Sequence, residues 1–349
     1  MNFASDNHYG VHPLILEGMR EANTGSAMAY GGDDWSKKSE KMLSDVFEKE
    51  IRVFWVTTGT AANGLSLSAV TPPYGAVLCH AEAHIVGDEC NSAEFFTAGA
   101  KIVGLQGPGG KITAAIVEKC LKGFVRGERD PKPKAVSITN ATEFGTVYSV
   151  GDIQAISSLM RPHGLKLHMD GSRFANALTG LGCSPAELTW KAGVDLMSFG
   201  ATKNGALLLD AVIFFDLQAA EDFAHRRVRA GQQVSKTRFL GSQMAAYLQG
   251  GLWLDNARRA NALARKLAEG LRQSPVVRIA HPVEANMVYA IMPRALNDRL
   301  IAAGVKFYPR MANELVGQIS DDEIVARLVL SFATPEADVD RLLELVRAG

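Results

Sequence analysis

Between roughly residue 50 and residue 215 the chain alternates short runs of β-branched and aromatic residues with stretches of helical periodicity. Strands are predicted at Val53–Thr57, Val77–Cys79, Val103–Leu105, Ala135–Thr139, Leu165–Met169, Leu196–Phe199 and Ala211–Phe215. Helices are predicted at Ala61–Ala69, Ile112–Leu121, Ile153–Arg161 and Arg173–Leu178. Such alternation leads to an α/β fold, a mostly parallel seven-stranded sheet lying between helices. The unbroken apolar character of VFWVT and AVIFF suits strands covered on both faces.

After Phe215 the pattern changes. Residues 217–273 show helical periodicity rich in Ala, Leu and Arg, interrupted only at Gly241 and at Gly250-Gly251. Strand-like runs follow at Val276–Ile279, Met287–Ile291, Val305–Phe307 and Val325–Ser331, with helices near 294–303 and 335–347. The expected organisation is a large domain over 1–245, including an N-terminal arm over 1–45, and a small C-terminal α+β domain over 246–349. Lys plus Arg and Asp plus Glu both number 37, so the chain carries no formal net charge. That balance gives no basis for binding nucleic acid or an anionic membrane, and it leaves self-association unopposed by charge. The one long uncharged stretch, Val53–Leu78, contains Thr57-Thr58-Gly59-Thr60, Asn63 and Pro72-Pro73, which suit a buried strand, turn and helix better than a membrane span. The four cysteines have no CxxC spacing, so reduced thiols in a cytoplasmic protein are expected, not a zinc site or a disulfide framework. The N-terminus shows no signal-peptide pattern.

Ligands of an open α/β sheet bind beyond the carboxyl ends of its strands. The polar residues at those points are Thr58-Gly59-Thr60, His80 and His84, Asn140-Thr142-Glu143, Asp170 and Arg173, and Thr202-Lys203-Asn204. Gly59-Thr60 opens a helix, where free N–H groups and a hydroxyl can receive a phosphate. Asp170 ends a strand, where it can keep a pyridinium nitrogen protonated or simply cap the next helix. Lys203 stands in an otherwise uncharged stretch, Phe199–Leu209, whose desolvation would favour a neutral, nucleophilic amine. His8 and His12 lie in the loop-like HYGVHP and are not expected to hold a metal. Gly107-Pro108-Gly109-Gly110 reads as a turn and not as a nucleotide loop, because proline removes a donor.

FASDN at 3–7, GTAAN at 59–63, HMDGSRFAN at 168–176, SFGATKNG at 198–205 and ARLVLSFAT at 326–334 occur together. In this combination the chain resembles the pyridoxal-phosphate-dependent L-threonine aldolases, low-specificity type, of the β-eliminating lyase branch of the aspartate-aminotransferase fold (fold type I). The resemblance implies pyridoxal 5'-phosphate as cofactor, Lys203 as its Schiff-base lysine, Asp170 as partner of the ring nitrogen and Gly59 with Thr60 as phosphate ligands. It implies His84 as the imidazole against the ring, and Ser5, Arg173 and Arg327 as residues holding the substrate carboxylate or the cofactor's phenolic oxygen. Two positions depart from the pattern. Glu143 stands where many relatives carry histidine, and AGQQVSKTR at 230–238 replaces a glycine-rich loop whose arginine reaches the neighbouring subunit's phosphate, so that Lys236 would take that place.

The implied activity is cleavage of L-β-hydroxy-α-amino acids to glycine and an aldehyde by a homo-oligomer, dimer or tetramer, with sites near the subunit interface. His84 is expected as the base for the β-hydroxyl or as the group orienting a water. Glu143 is expected to act on the same oxygen, either accepting its proton or, with a pKa raised by burial, donating to it. The alternatives are another fold-type I enzyme, a β-eliminating lyase or aminotransferase, built on the same Lys203 and Asp170. A non-catalytic ligand-binding protein, or a nicotinamide-dependent oxidoreductase on a doubly wound sheet, comes from a different class.

Overall fold

The computed structural model describes residues 1–310 and 319–348. Seven strands form the large sheet: β1 (Arg52–Val56), β2 (Gly75–His80), β3 (Lys101–Leu105), β4 (Lys132–Thr139), β5 (Lys166–Gly171), β6 (Leu196–Gly200) and β7 (Asp210–Phe214). Their order is β1-β7-β6-β5-β4-β2-β3. β7 runs antiparallel to both of its neighbours, and the remaining pairs are parallel. The carboxyl ends of β1, β2, β4, β5 and β6 therefore share one edge with the first residue of β7, and the candidate site residues collect there. β5 and β6 approach so closely at that edge that a Cβ on Gly200 would lie 2.7 Å from the Ser172 backbone.

Helices α1 (Pro13–Ala22) and α2 (Asp34–Val46) pack against the helix Arg238–Leu248. Gly241 does not interrupt that helix. A Cβ there would meet the Ser36 backbone at 2.6 Å, so the glycine lets α2 come close. The breaks are the irregular segment between the helices Phe223–Arg229 and Arg238–Leu248 and, as expected, Gly250-Gly251, which separates the latter from the helix Leu252–Arg272. α3 (Gly59–Val70) is buried almost all round, with every residue from Ala61 to Ser68 buried, and it packs against β6 and β7. A helix enclosed in this way shows no amphipathic stripe.

The helix Leu252–Arg272 leads into a second, antiparallel sheet of β8 (Arg278–Ile279), β9 (Met287–Pro293), β10 (Tyr308–Arg310) and β11 (Glu323–Val329), in the order β10-β11-β9-β8. The strand expected at Val305–Phe307 lies three residues later, because Lys306 bridges Asn2 at the N-terminus instead. Phe3 is fully buried in the apolar cluster of this second sheet, among Leu267, Leu271, Val288 and Leu328. Burial of that ring contributes roughly 1.5–3 kcal/mol and fixes the N-terminal segment that carries Asp6. Among the described residues no helix is long and apolar enough to cross a membrane.

Candidate active site

α3 begins with a site suited to an anion. The Thr58 side chain accepts the Ala61 N–H (3.1 Å), which leaves the N–H groups of Gly59 and Thr60 at the helix start. A Cβ on Gly59 would lie 3.4 Å from Ser172 Oγ and 3.9 Å from an Asp210 carboxylate oxygen, so glycine keeps this corner open. Gln232 Oε1 accepts from both the N–H and the hydroxyl of Thr57, at 3.0 and 2.9 Å. The 230–238 segment thus reaches the cradle through Gln232. Lys236 is exposed and makes no ion pair among the described residues.

Lys203 sits in a single 3₁₀ turn, Thr202–Asn204, that is tied down on every side. The Ala201 N–H donates to Asp210 Oδ1 (3.2 Å), and Thr202 Oγ1 exchanges hydrogen bonds with the backbone of Leu209. Asn204 donates to Tyr247 Oη and to the Trp253 carbonyl, both at 2.8 Å. Gly205 ends the turn at φ +118°, a conformation that favours glycine. The surroundings of Lys203 differ from the apolar setting that its sequence neighbours suggest. Asp6, Glu143, Asp170 and Asp210, brought from four other parts of the chain, all feel its charge.

Asp170 is buried and does not cap the following helix, which begins at Phe174 after an uncapped Arg173. Its Oδ1 accepts the N–H and hydroxyl of Ser172 (3.0 and 2.9 Å), and its Oδ2 accepts from Asn63 Nδ2 (3.0 Å). Burial alone would raise its pKa, but His84, Lys203 and the Ser172 bonds outweigh burial and hold it below the usual range. His84 Nδ1 lies 2.8 Å from Glu89 Oε1. Burial works against the imidazolium, yet Glu89, Glu143 and Asp170 raise the pKa of His84. Burial raises the Glu89 carboxyl despite its bonds to His84 and Asn63. His80, by contrast, is occupied structurally. Its Nδ1 accepts the Glu82 N–H, and its Nε2 therefore donates to the Gly107 carbonyl (3.1 Å).

Arg173 is buried and forms a bidentate pair with Asp6, Nε to Oδ2 at 2.8 Å and Nη2 to Oδ1 at 3.1 Å. Asn286 Nδ2 donates to the same Asp6 (3.1 Å). Ser5 Oγ accepts the Asn7 N–H and caps a short local turn. Glu143 is buried at the mouth of this cluster. Burial would raise its pKa, but Arg173, Lys203, His84 and Arg327 lower it. The expectation that burial could make Glu143 a hydrogen-bond donor is therefore corrected: four neighbouring cations keep it a carboxylate. Arg327, on β11, has a buried Nε with no hydrogen-bond partner among the described residues. The two histidines near the N-terminus are separately engaged, His8 with Asn2 and His12 as cap of α1. Among the described residues no group of three or more His, Cys, Asp or Glu could hold a metal ion.

A family model described as beta-eliminating lyase matches residues 2–293. The chain belongs to that family. This lyase is 42% identical over 347 residues to a low-specificity L-threonine aldolase of a Pseudomonas species, covering 99% of this chain and 97% of the relative. It superposes on the solved threonine aldolase of Leishmania major with a TM-score of 0.92 at 27% identity, covering 99% and 98% of the two chains. The serine palmitoyltransferase of Sphingomonas wittichii shares the fold at 16% identity and a TM-score of 0.70, with 100% and 86% covered. The architecture is that of the fold-type I pyridoxal-phosphate enzymes. Three features fit such a cofactor: free N–H groups at the start of α3, a buried carboxylate at the end of β5 and a half-buried lysine on a rigid turn. Sequence reasoning missed Asp6, Asn63, Glu89, Asp210 and Asn286. Asn63 carried a signal, being the one amide side chain in the middle of an uncharged helix.

Proposed function

We propose that this lyase cleaves L-β-hydroxy-α-amino acids, L-threonine, L-allo-threonine or β-aryl serines, into glycine and an aldehyde, with pyridoxal phosphate as cofactor. The observation that carries this reading is the convergence of Lys203, Asp170, His84 and Glu143 on one sheet edge, where Glu143 also feels the charge of Arg327, whose Nε has no hydrogen-bond partner among the described residues. When bound, the cofactor supplies an aldehyde for an amino group and a ring that withdraws electrons from a bond broken at the substrate's Cα.

Gly59 and Thr60 would hold the phosphate, Lys203 the aldehyde carbon, and His84 one face of the ring. Asp170, kept anionic, would hold the proton on the ring nitrogen. Arg327 offers an unused donor to the substrate carboxylate, with Arg173 beside it through the shared neighbour Glu143. Ser5 offers a hydroxyl near the same end. Glu143, an anion among cations, is suited to accept the β-hydroxyl proton, and His84 to relay it directly or through a water. Lys236 is assigned to the phosphate of a neighbouring subunit in a homo-oligomer, dimer or tetramer. Zero net charge leaves such self-association unopposed, and four free cysteines are in keeping with a cytoplasmic location.

The test is to incubate purified protein, supplied with pyridoxal phosphate, with L-threonine alone. Equimolar acetaldehyde and glycine are expected, together with a visible absorption band that borohydride abolishes. Release of ammonia with a keto acid would indicate β-elimination, and a requirement for a keto-acid co-substrate would indicate transamination. A protein without the band would overturn the cofactor assignment itself.

A further inference from the structure

Asn63 lies four residues after Gly59 on α3, one turn below the anion cradle and on the same side of the helix. It is 1% exposed. Its Nδ2 lies 2.8 Å from Glu89 Oε1 and 3.0 Å from Asp170 Oδ2. A primary amide has two N–H bonds, so one nitrogen satisfies both carboxylates. Its Oδ1 accepts the hydroxyl of Ser198, which stands beside Asp170 in the β5–β6 register. That hydroxyl decides which end of the amide faces the acids.

We propose that Asn63 is a positioning residue that links the two acid–base arms of the site, the His84–Glu89 pair and Asp170, through one amide oriented by Ser198. The proposal deepens the function proposed above, since it rests on Asp170 and His84 serving the cofactor. Each carboxylate takes one N–H of the same amide, so any rotation or displacement of that side chain alters both hydrogen bonds together. Other charged or titratable groups also face this network. Lys203 and Glu143 face His84, while Lys203, Asp210 and the buried His168 face Asp170. Asn63 is the contact that physically joins the two arms.

The sign follows from the bonding. A hydrogen bond to a carboxylate favours its anion, so removing the donor raises the carboxylate pKa. In Asn63→Ala, Glu89 holds a proton more tightly, and the apparent pKa values of the His84–Glu89 pair rise together. A rise of about one unit, a tenfold change in proton affinity, is expected. Ser198→Ala leaves the amide present but free to turn, so its shift has the same sign and is smaller. Because the one hydrogen bond of the Ser198 hydroxyl among the described residues goes to Asn63, the double variant should titrate like Asn63→Ala alone.

The readout is the pH titration of the His84 ring ¹⁵N resonances in protein stripped of pyridoxal phosphate. It is compared with the acid limb of kcat/KM in the loaded enzyme, which should move in the same direction. An unshifted titration in folded Asn63→Ala, or additive shifts in the double variant, would overturn the linkage. Should Asn63→Ala not fold, Ser198→Ala decides alone, and an unshifted ring titration refutes the proposal. The ring titration needs no cofactor, so a wild-type protein lacking the visible band would sink the proposed function and leave this test intact.

Discussion

Removing Asp6 isolates the charge on Arg173. The Asp6–Arg173 pair is bidentate and almost inaccessible, with side-chain exposures of 2% and 4%, and Asn286 adds a third bond to the same carboxylate. Breaking a buried pair from one side costs about 3–5 kcal/mol, because the remaining charge stays desolvated. Glu143 also faces Arg173 and compensates part of that charge, which puts Asp6→Ala near the lower end, about 3 kcal/mol. For a chain of 349 residues the loss corresponds to a fall in Tm of roughly 4 °C, measurable by scanning calorimetry.

The pH dependence gives a second check. Burial works against the Asp6 anion, but Arg173 outweighs burial and holds the folded pKa below 3.8. Its contribution is therefore present above the unfolded value and is lost as pH falls through the lower folded value. The gap in Tm between wild type and Asp6→Ala should persist at neutral pH and close in strong acid. A variant that melts with the wild type at neutral pH would refute the reasoning, as would a gap that widens in acid.

Four further outcomes are expected. Lys203→Ala should abolish turnover with an unchanged circular dichroism spectrum, and borohydride trapping of the wild type should label Lys203 in peptide maps. Arg327→Ala should raise the apparent KM for the amino acid about ten- to a hundredfold, the worth of a charge-assisted contact, with far less effect on cofactor affinity. Glu143→Gln should slow carbon–carbon cleavage of threonine while leaving exchange of the glycine α-proton near wild type, followed by proton NMR; equal losses would place Glu143 with the cofactor or the fold. Burial lifts Asp210 to about 7 despite Lys203, so its favourable protonation in the folded state is lost as pH rises from 3.8 toward that value. Asp210→Asn should flatten the fall in Tm between mildly acid and mildly alkaline buffer, and an unchanged slope would remove Asp210 from that role.

The sheet was legible because its strands are short, apolar and separated by helices, so periodicity alone located all seven to within a few residues. The Lys203 turn was legible for a similar reason, as a lone charge after a buried strand. The residues that were missed act across long separations. Arg173 meets Asp6 across 167 residues, Asp170 meets Asn63 across 107, and Thr57 meets Gln232 across 175. No local pattern encodes such contacts. Ser5 drew attention because serine is a usual ligand, yet its neighbour Asp6 holds the buried arginine while Ser5 caps a turn. Gly241 misled in the opposite sense, since a glycine inside a helical pattern marks a close approach of helices as readily as an end.

The acids around Lys203 can be sorted by what already holds them. Asp6 is committed to Arg173 and Asn286. Asp170 is held by Ser172 and Asn63 in a position suited to a ring nitrogen. Asp210 accepts the Ala201 N–H and, with its pKa near neutrality, is the acid most ready to be uncharged. Glu143 alone is both ionised and without a hydrogen bond to its carboxylate among the described residues; its backbone carbonyl, not its side chain, accepts from Tyr289. The cations that stabilise this anion, Arg173, Lys203, His84 and Arg327, are those a substrate carboxylate and amine would also meet. On the function proposed above, substrate binding would bring the β-hydroxyl toward the one of these carboxylates that carries no hydrogen bond among the described residues, the position expected of a group that receives its proton.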